Sequence, residues 1–199
     1  MKKLILVPAF ILSFVILHAS VCNAASPLGI IHFGAKVDYI EFTDGVFEDL
    51  DLKKGVYVGA EIYSIILPYL YLGLEAGYSN PHGNYTDTVL GNVDTELTYV
   101  PLELNAKVAF EPAKNLAIDA GAGVSVMYAE LETSVGSLPP VSENEWLWGG
   151  QIFADINYIA GGVVYIGING KYKIAENGLK GYDVNLNNWM IGGQIGVKF

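Results

Sequence analysis

The sequence predicts an all-β protein, an eight-stranded antiparallel up-and-down barrel that crosses a membrane, preceded by a cleaved signal peptide. Three observations lead there. Beyond residue 25 the apolar residues recur at every second position, the period of a strand. One phase of every strand-like segment carries no charge, although 16% of the residues are charged. Short connections alternate with long ones, and an even strand count with that alternation is the pattern of a membrane barrel.

The first residues are a separate element. Residues 4–17, LILVPAFILSFVIL, follow Lys2 and Lys3 and precede the small residues of CNAA. A basic start, an apolar run of about 14 residues and a small-residue junction describe a secretory leader, short for a spanning helix. Cleavage after Ala24 divides the chain into a signal peptide, 1–24, and a barrel domain, 25–199, with Ala25 the second choice of site. The only cysteine, Cys22, falls in the leader. Val21 and Ala19 stand where a lipoprotein junction wants a small residue and a leucine, so lipidation does not fit. The mature chain then has no thiol for a disulfide or a metal.

All 11 basic residues are lysines, against 21 carboxylates. Losing Lys2 and Lys3 takes the net charge from −10 to about −12. Nucleic acid needs clustered basic residues and is disfavoured as a partner. A purely electrostatic hold on anionic lipid is disfavoured equally.

The segments follow in order. IIHFGAKVDY (30–39) puts Ile31, Phe33, Ala35, Val37 and Tyr39 in one phase and Lys36 and Asp38 in the other. VYVGAEIYS (56–64) sends Glu61 to the charged phase beside Tyr57 and Tyr63. LYLGLEAGYS (70–79) sets Leu70, Leu72, Leu74, Ala76 and Tyr78 against Glu75. TYVPLELNAKVAF (98–110) carries Glu103 and Lys107; its Pro101 cannot donate to a ladder and is expected at a bulge or an edge. LAIDAGAGVSVMY (116–128) and WGGQIFADINY (148–158) supply Asp119 and Asp155. VVYIGINGKY (163–172) supplies Lys171, and WMIGGQIGVKF (189–199) supplies Lys198. Segments of about 9–13 residues suit tilted spanning strands.

The connections after the second, fourth and sixth segments are short: IILP, EPAKN and IAGG. The others are several times longer, for example SNPHGNYTDTVLGNVD. Both termini therefore fall at the short-turn end, on the periplasmic side, with the long loops extracellular. In the uncharged phase Tyr39, Tyr78, Tyr128, Trp148, Tyr172 and Trp189 mark the long-loop end, and Phe33, Phe110, Tyr158 and Phe199 the other. Two such girdles are expected at the two interfaces of a membrane. A soluble barrel with the apolar face inward would instead show a solvent face crowded with Lys, Glu, Ser and Thr. Here the polar phase is rich in glycine and tyrosine, which suits a narrow, filled interior.

TYVPLELNAKVAF and WMIGGQIGVKF carry a resemblance to the outer membrane protein beta-barrel superfamily, the group that holds the barrel of outer membrane protein A and its small relatives. It spans about residues 28–199, and its motifs mark the fold rather than an activity. The resemblance implies an outer-membrane location in a Gram-negative envelope, with lipid and lipopolysaccharide around the barrel. It also implies that Phe199 is the signal read by the barrel assembly machinery. No peptidoglycan-binding domain is expected beyond the barrel, which removes the tethering role of the longer relatives.

Candidate chemistry is sparse. His32 and His82 are the only mature histidines, and HExxH, CxxC and paired-His spacings are absent. Outer-membrane lipid A deacylases carry a His-x-Ser-Asn stretch; Ser79-Asn80 matches it, but Gly77 stands in the histidine's place. His82 lies beyond, with Asp94 and Glu96 downstream, and a serine nucleophile needs its base within hydrogen-bond reach. The acidic loops, with Asp44, Glu48, Asp49 and Asp51 in one and Glu130, Glu132, Glu143 and Glu145 in another, read as a solvated repulsive surface. Divalent cations bridging them to lipopolysaccharide phosphates are the alternative. The ten inward charges must pair, because an unpaired buried charge is costly. The expectation is therefore a lumen network that plugs the barrel, in a non-enzymatic surface protein serving envelope integrity or contact with outside partners, and needing no cofactor or metal. Transport through the barrel is the alternative, and a lipid A-modifying enzyme the third reading. The sequence does not name an external partner.

Overall fold

The charge-free phase of each strand is the outward face of a closed antiparallel barrel. The computed structural model of the chain describes residues 26–87, 91–136, 138–176 and 184–199. The expected leader, its cleavage site and Cys22 lie outside the described residues.

The elements run β1 (Ile31–Phe42), α1 (Gly45–Asp49), β2 (Lys54–Leu67), β3 (Leu70–Ser79), β4 (His82–Asp87) and β5 (Gly91–Ala113), then β6 (Leu116–Val135), β7 (Val141–Ala160), β8 (Val164–Glu176) and β9 (Asn188–Lys198). Sequence neighbours pair along the chain except β3 and β4, β9 pairs with β1, and β3 pairs with β5 to close the wall. The short β4 continues the path of β3 along β5 after a break at Asn80-Pro81, so the barrel has eight staves. The start of β1, the end of β9 and the short turns share one end. Those turns are tight, with left-handed backbone at Tyr69 (φ 66°), Asn115 (φ 64°) and the pair Gly161-Gly162 (φ 61° and 77°).

Three details differ from the sequence reading. The strands at the long-loop end are longer than the charge-free phase suggests: β5 and β6 stay in register from Val93↔Val135 down to Phe110↔Ile118. Much of what reads as the second and third loops is therefore hairpin. The first loop contains the one-turn helix α1, capped by Asp44, whose carboxylate accepts the Val46 N–H at 3.1 Å. Pro101 sits inside β5, neither at an edge nor at a bulge. It keeps its register with Met127 on β6, while the pairing of β5 with β3 lapses between Ala76↔Leu102 and Ser79↔Tyr99, where proline has no N–H to give.

Outward positions between the two aromatic bands are apolar or small, for example Val37, Leu102, Val108, Val124, Ile152 and Ile168, all exposed. From Trp148 to Tyr158, β7 runs about 33 Å at ~3.3 Å per residue, or about 25 Å of height at a barrel tilt of ~40°. That height equals the apolar band of a membrane barrel. Lysine at Leu72 or Ile166, within this belt, should cost about 2–4 kcal/mol in a bilayer. Urea unfolding of each variant from lipid vesicles measures it, and wild-type stability for Ile166→Lys would mean that the faces of β8 are wrongly assigned.

Candidate functional site

The lumen is filled at three levels. At mid-height Glu61, Glu75 and Glu103 stand side by side as cross-strand partners on β2, β3 and β5. Like charges so placed repel. Lys36 on β1 lies 2.8 Å from Glu61 and 3.2 Å from Glu75. From β8, on the opposite wall, Lys171 reaches Glu75 at 2.5 Å and Glu103 at 2.8 Å, and Lys173 reaches Glu103 at 2.5 Å. The Tyr57 hydroxyl donates to Glu75 at 3.1 Å. A second centre forms on Lys107, which is 3.2 Å from Asp119, 3.7 Å from Asp155 and 3.9 Å from Glu61. Its ammonium also lies 4.1 Å from the centroid of the Tyr63 ring. Asp119 and Asp155 are themselves cross-strand partners. All of these side chains are buried.

Two of the ten expected charges behave differently. Asp38 is buried but among the described residues forms no ion pair with a lysine; it accepts a hydrogen bond from Asn169 at 2.9 Å across Gly192. Only glycine fits between them, since a Cβ at Gly192 would strike the Asp38 carboxylate and the Val37 carbonyl. Lys198 is not in the network. It lies four residues along β9 below the level of Lys36, at the short-turn end, and donates to the Pro27 carbonyl at 2.6 Å. Lys173 takes the fourth cationic place instead, and the alternation of Lys171-Tyr172-Lys173 is the signal that would have found it.

Below the charges lies an aromatic plug. His32 stacks on Tyr63 with centroids 5.2 Å apart and meets Tyr71 and Tyr165 edge-on at 5.5 and 5.9 Å. Residues 27–30 close this end from beneath: Leu28 is buried and donates its N–H to the Tyr71 hydroxyl, and Ile30 donates to the Phe199 carbonyl at 2.5 Å. Gly29 has φ 76° and lies against the Phe199 backbone, so it permits both the turn and the approach.

Above the charges the long-loop mouth is closed by an apolar core. Loop residues Phe47 and Leu52 fold back to meet Phe42, Leu97, Tyr99, Met127, Leu131, Leu147 and Leu186. Thr95 latches this flap by donating to the Leu50 carbonyl at 2.8 Å. Asp44 ties it to the last loop by accepting the Asn185 N–H at 3.0 Å, and that bond with the Val46 one holds its carboxyl below the usual carboxylate range. The sequence offered no charge pattern here; FEDLDL reads as an acidic loop because its two buried apolar residues are spaced among three acids.

Face polarity inverts at this height. Within the belt β5 shows Leu102, Leu104 and Val108 outside and Glu103, Asn105 and Lys107 inside. Beyond Tyr99 the same strand shows Val93, Thr95 and Leu97 inside and Asn92, Asp94 and Glu96 outside. On β6 the outward row changes from Val124, Val126 and Tyr128 to Glu130, Glu132 and Ser134. The solvent outside the wall therefore changes from apolar to aqueous along one continuous strand. All six upper girdle aromatics lie on the outward face at this boundary, where Tyr39 meets Trp189 at 5.4 Å and Tyr128 meets the unforeseen Trp146 at 5.3 Å. At the other end Phe33 lies 6.4 Å from Phe199.

The residues considered for catalysis do not converge. Ser79 is buried on the inner side, whereas the His82 ring is exposed, with Nδ1 3.5 Å from Glu96. Asn80 donates to Glu96 at 2.8 Å and Asp94 accepts from Asn84 at 2.5 Å, both as parts of the hairpin's outer face. Among the described residues no three His, Asp or Glu side chains converge on a site that could hold a metal ion.

No family model and no curated protein matches the chain in sequence. Its fold matches Neisserial surface protein A at a TM-score of 0.64 and 12% identity, over 89% of this chain and 100% of that one. It also matches the outer membrane protein OprG of Pseudomonas aeruginosa at 0.54 and 12% identity, over 85% and 96% of the two chains. The N-terminal β-barrel domain of OprF from the same organism matches at 0.51 and 14% identity, over 86% and 98%. The chain thus has the fold of an outer membrane protein β-barrel.

The geometry around Lys107 makes a prediction. Lys107→Met strands Asp119 and Asp155 without their cation, and breaking one side of a buried pair costs about 3–5 kcal/mol. Denaturant unfolding should show that loss, with part of it recovered in the double variant carrying Asp119→Asn. Unchanged stability in the single variant would remove Lys107 from the network.

Proposed function

We propose that this chain is a non-enzymatic surface barrel of the outer membrane, with its long loops outside and both termini in the periplasm. It contributes to envelope integrity and presents its loops to outside partners. The observation that carries this reading is the inversion of face polarity on β5 and β6, which sets an apolar solvent around the lower barrel and water around the upper hairpins. The filled lumen argues against transport. Its charges, its aromatic plug and its apolar mouth lie in series, and an eight-stranded interior is just wide enough for side chains. The separation of Ser79 from His82 by the barrel wall argues against acyl hydrolysis at that hairpin. The match to a protein named as a Neisserial surface protein agrees with display at the surface. In this reading lipid and lipopolysaccharide surround the belt.

Conductance tests the sealed lumen. The protein reconstituted into planar bilayers should give no steady porin-like current at neutral pH. A stable ion-selective current that disappears in Glu61→Gln or Glu75→Gln would favour transport instead.

Phe199 supplies the second test, on assembly. We assign to it the signal for insertion by the barrel assembly machinery, since it is outward-facing and 68% exposed on a wall whose other large apolar side chains face the same solvent. Deleting it should leave β9 able to pair yet reduce the heat-modifiable barrel in outer-membrane fractions, with unfolded chain accumulating in the periplasm. Wild-type levels of folded barrel in the deletion would refute the assignment.

A further inference from the structure

The wall of the barrel comes apart above Ser79. Below that level β2 and β3 are paired from Leu67↔Leu70 up to Tyr57↔Ser79. After Asn80-Pro81 the chain continues as β4, which pairs with β5 alone, from His82↔Glu96 to Asp87↔Gly91. Pro81 accepts the Leu97 N–H at 3.0 Å, and this sets the phase of the ladder. In antiparallel pairing the bonds to one neighbour come from alternate residues. Gly83 and Tyr85 therefore turn their backbone groups to β5, while His82, Asn84 and Thr86 turn theirs the other way. Among the described residues no strand pairs with that side.

A free edge is ordinarily blunted by proline, by lysine, or by a covering loop. Here His82–Asp87 is HGNYTD, without a lysine or a proline. The first loop packs against the inner face of β4 at Gly83, where a Cβ would strike the Leu50 carbonyl, but among the described residues it does not pair with the edge side of β4. Between them lies a groove of about 380 Å³ lined by Glu48, Asp51, Lys53, Lys54 and His82.

Charge selects the occupant. The outer face behind β4 carries Asp94 and Glu96 on β5 and Glu132 on β6, directly across from Glu96. The His82 ring is the one basic side chain on the β4 part of that face, and within the groove Glu48 and Asp51 offset Lys53 and Lys54, so the outer-face acids set the sign of the site. A strand added at the edge would lie about 4.8 Å from β4 and twice that from β5. Its outward side chains would pass over Asn84 and Thr86, and a lysine or arginine is long enough to bring its charge to Asp94 and Glu96. Acidic side chains at those positions would meet repulsion. A second copy of this chain presents the same acidic face and the same excess of 21 carboxylates over 11 lysines, which opposes edge-to-edge self-pairing.

We propose that the free edge of β4 is a docking strand for an extended, lysine- or arginine-rich segment of a partner protein. The added segment takes backbone hydrogen bonds from His82, Asn84 and Thr86, and its alternate basic side chains pair with the acids on β5 and β6. Backbone bonding supplies affinity and the alternating side chains supply selection, as in other cases of strand addition. This rests on the proposed surface reading, because the edge must face the outside of the cell.

The test uses the full mature barrel in lipid nanodiscs and two labelled octapeptides, one alternating Lys and Thr, the other Glu and Thr. The Lys-Thr peptide should bind and the Glu-Thr peptide should not. Asn84→Pro removes an N–H that faces the groove and leaves the β4–β5 ladder intact, so it should weaken binding at least tenfold relative to Asn84→Ala. The alanine variant controls for the lost side-chain bond to Asp94. In the unaltered protein the Lys-Thr peptide should slow hydrogen exchange at the amides of His82, Asn84 and Thr86, while those of Gly83 and Tyr85 are protected beforehand. Equal binding by the two Asn84 variants, binding of both peptides alike, or unchanged exchange at the three edge amides would each overturn the proposal. Whole-cell labelling of a cysteine introduced at Thr86 tests the surface reading separately. A barrel labelled from outside that fails to bind the peptide refutes the docking strand and leaves the surface reading standing.

Discussion

The row Glu61–Glu75–Glu103 is the constraint around which the barrel is organised. Three carboxylates on consecutive staves face a space with no room for bulk water, and their mutual repulsion acts at low dielectric. Local pairs cannot relieve it, because the cations of neighbouring staves are too few. Lys36 serves two of the acids from beside them, and Lys171 and Lys173 come from the stave opposite. Residues on β3 and β5 are thereby tied to β8 across the full lumen. A closed sheet is already held by its ladders; these ion pairs fix its cross-section as well. Removal of one partner leaves a buried charge uncompensated, whereas an apolar filling of equal volume would carry no such risk. The lumen is therefore sensitive to single substitutions in a way that the lipid-facing wall is not.

The glycines and tyrosines of the inner face follow from the same requirement. Lysine side chains that span the lumen need space at mid-height, and tyrosines fill what remains. Their hydroxyls are placed where they can serve the carboxylates, as Tyr57 does for Glu75 and Tyr165 for Glu61 at 3.4 Å. Asn169 replaces a lysine at Asp38, and Gly192 leaves the gap through which the amide reaches it. Glu61, Glu75, Glu103 and Asp38 are thus met by a mixture of ion pairs, amides and phenols, and the belt outside carries none of that burden.

Much of this was legible from the period-two pattern. A strand buried on one side only must sort its charges by face, so Lys36, Glu61, Glu75, Glu103, Lys107, Asp119, Asp155 and Lys171 could be placed inward from sequence alone. The neighbouring heights of Glu61 and Glu75 followed from the short IILP turn between their strands. Lys198 was misplaced because phase gives the face and not the height. It does point inward, yet at the end of β9 it meets a backbone carbonyl rather than a carboxylate. Lys173 and the apolar mouth were missed for one shared reason. The charge-free outward phase ends before the strands do, and it is the phase that marks a strand's end in the sequence.

The continuation of the strands past the belt has a physical cause. A strand of a soluble sheet keeps one polar and one apolar face along its whole length, so loss of the pattern marks the end of the strand. A strand that leaves a membrane keeps its pleat while the medium outside it changes. Val93, Leu97 and Leu131 then belong inside for the same reason that Leu102, Leu104 and Val124 belong outside: each lies away from water. Read this way, the switch near Tyr99 on β5 and between Tyr128 and Glu130 on β6 is itself a marker of the membrane surface, independent of the aromatic girdle that coincides with it. Above it, the hairpins are a small soluble structure with an apolar core and an acidic exterior, built on the rim of a barrel with the opposite arrangement. Val135 stands about 23 Å beyond Tyr128 along β6 at ~3.3 Å per residue, far enough to carry this crown clear of the interface. The free edge of β4 belongs to that crown, and it is exposed because the wall needs only eight staves within the membrane, whereas water leaves an edge open at no comparable cost.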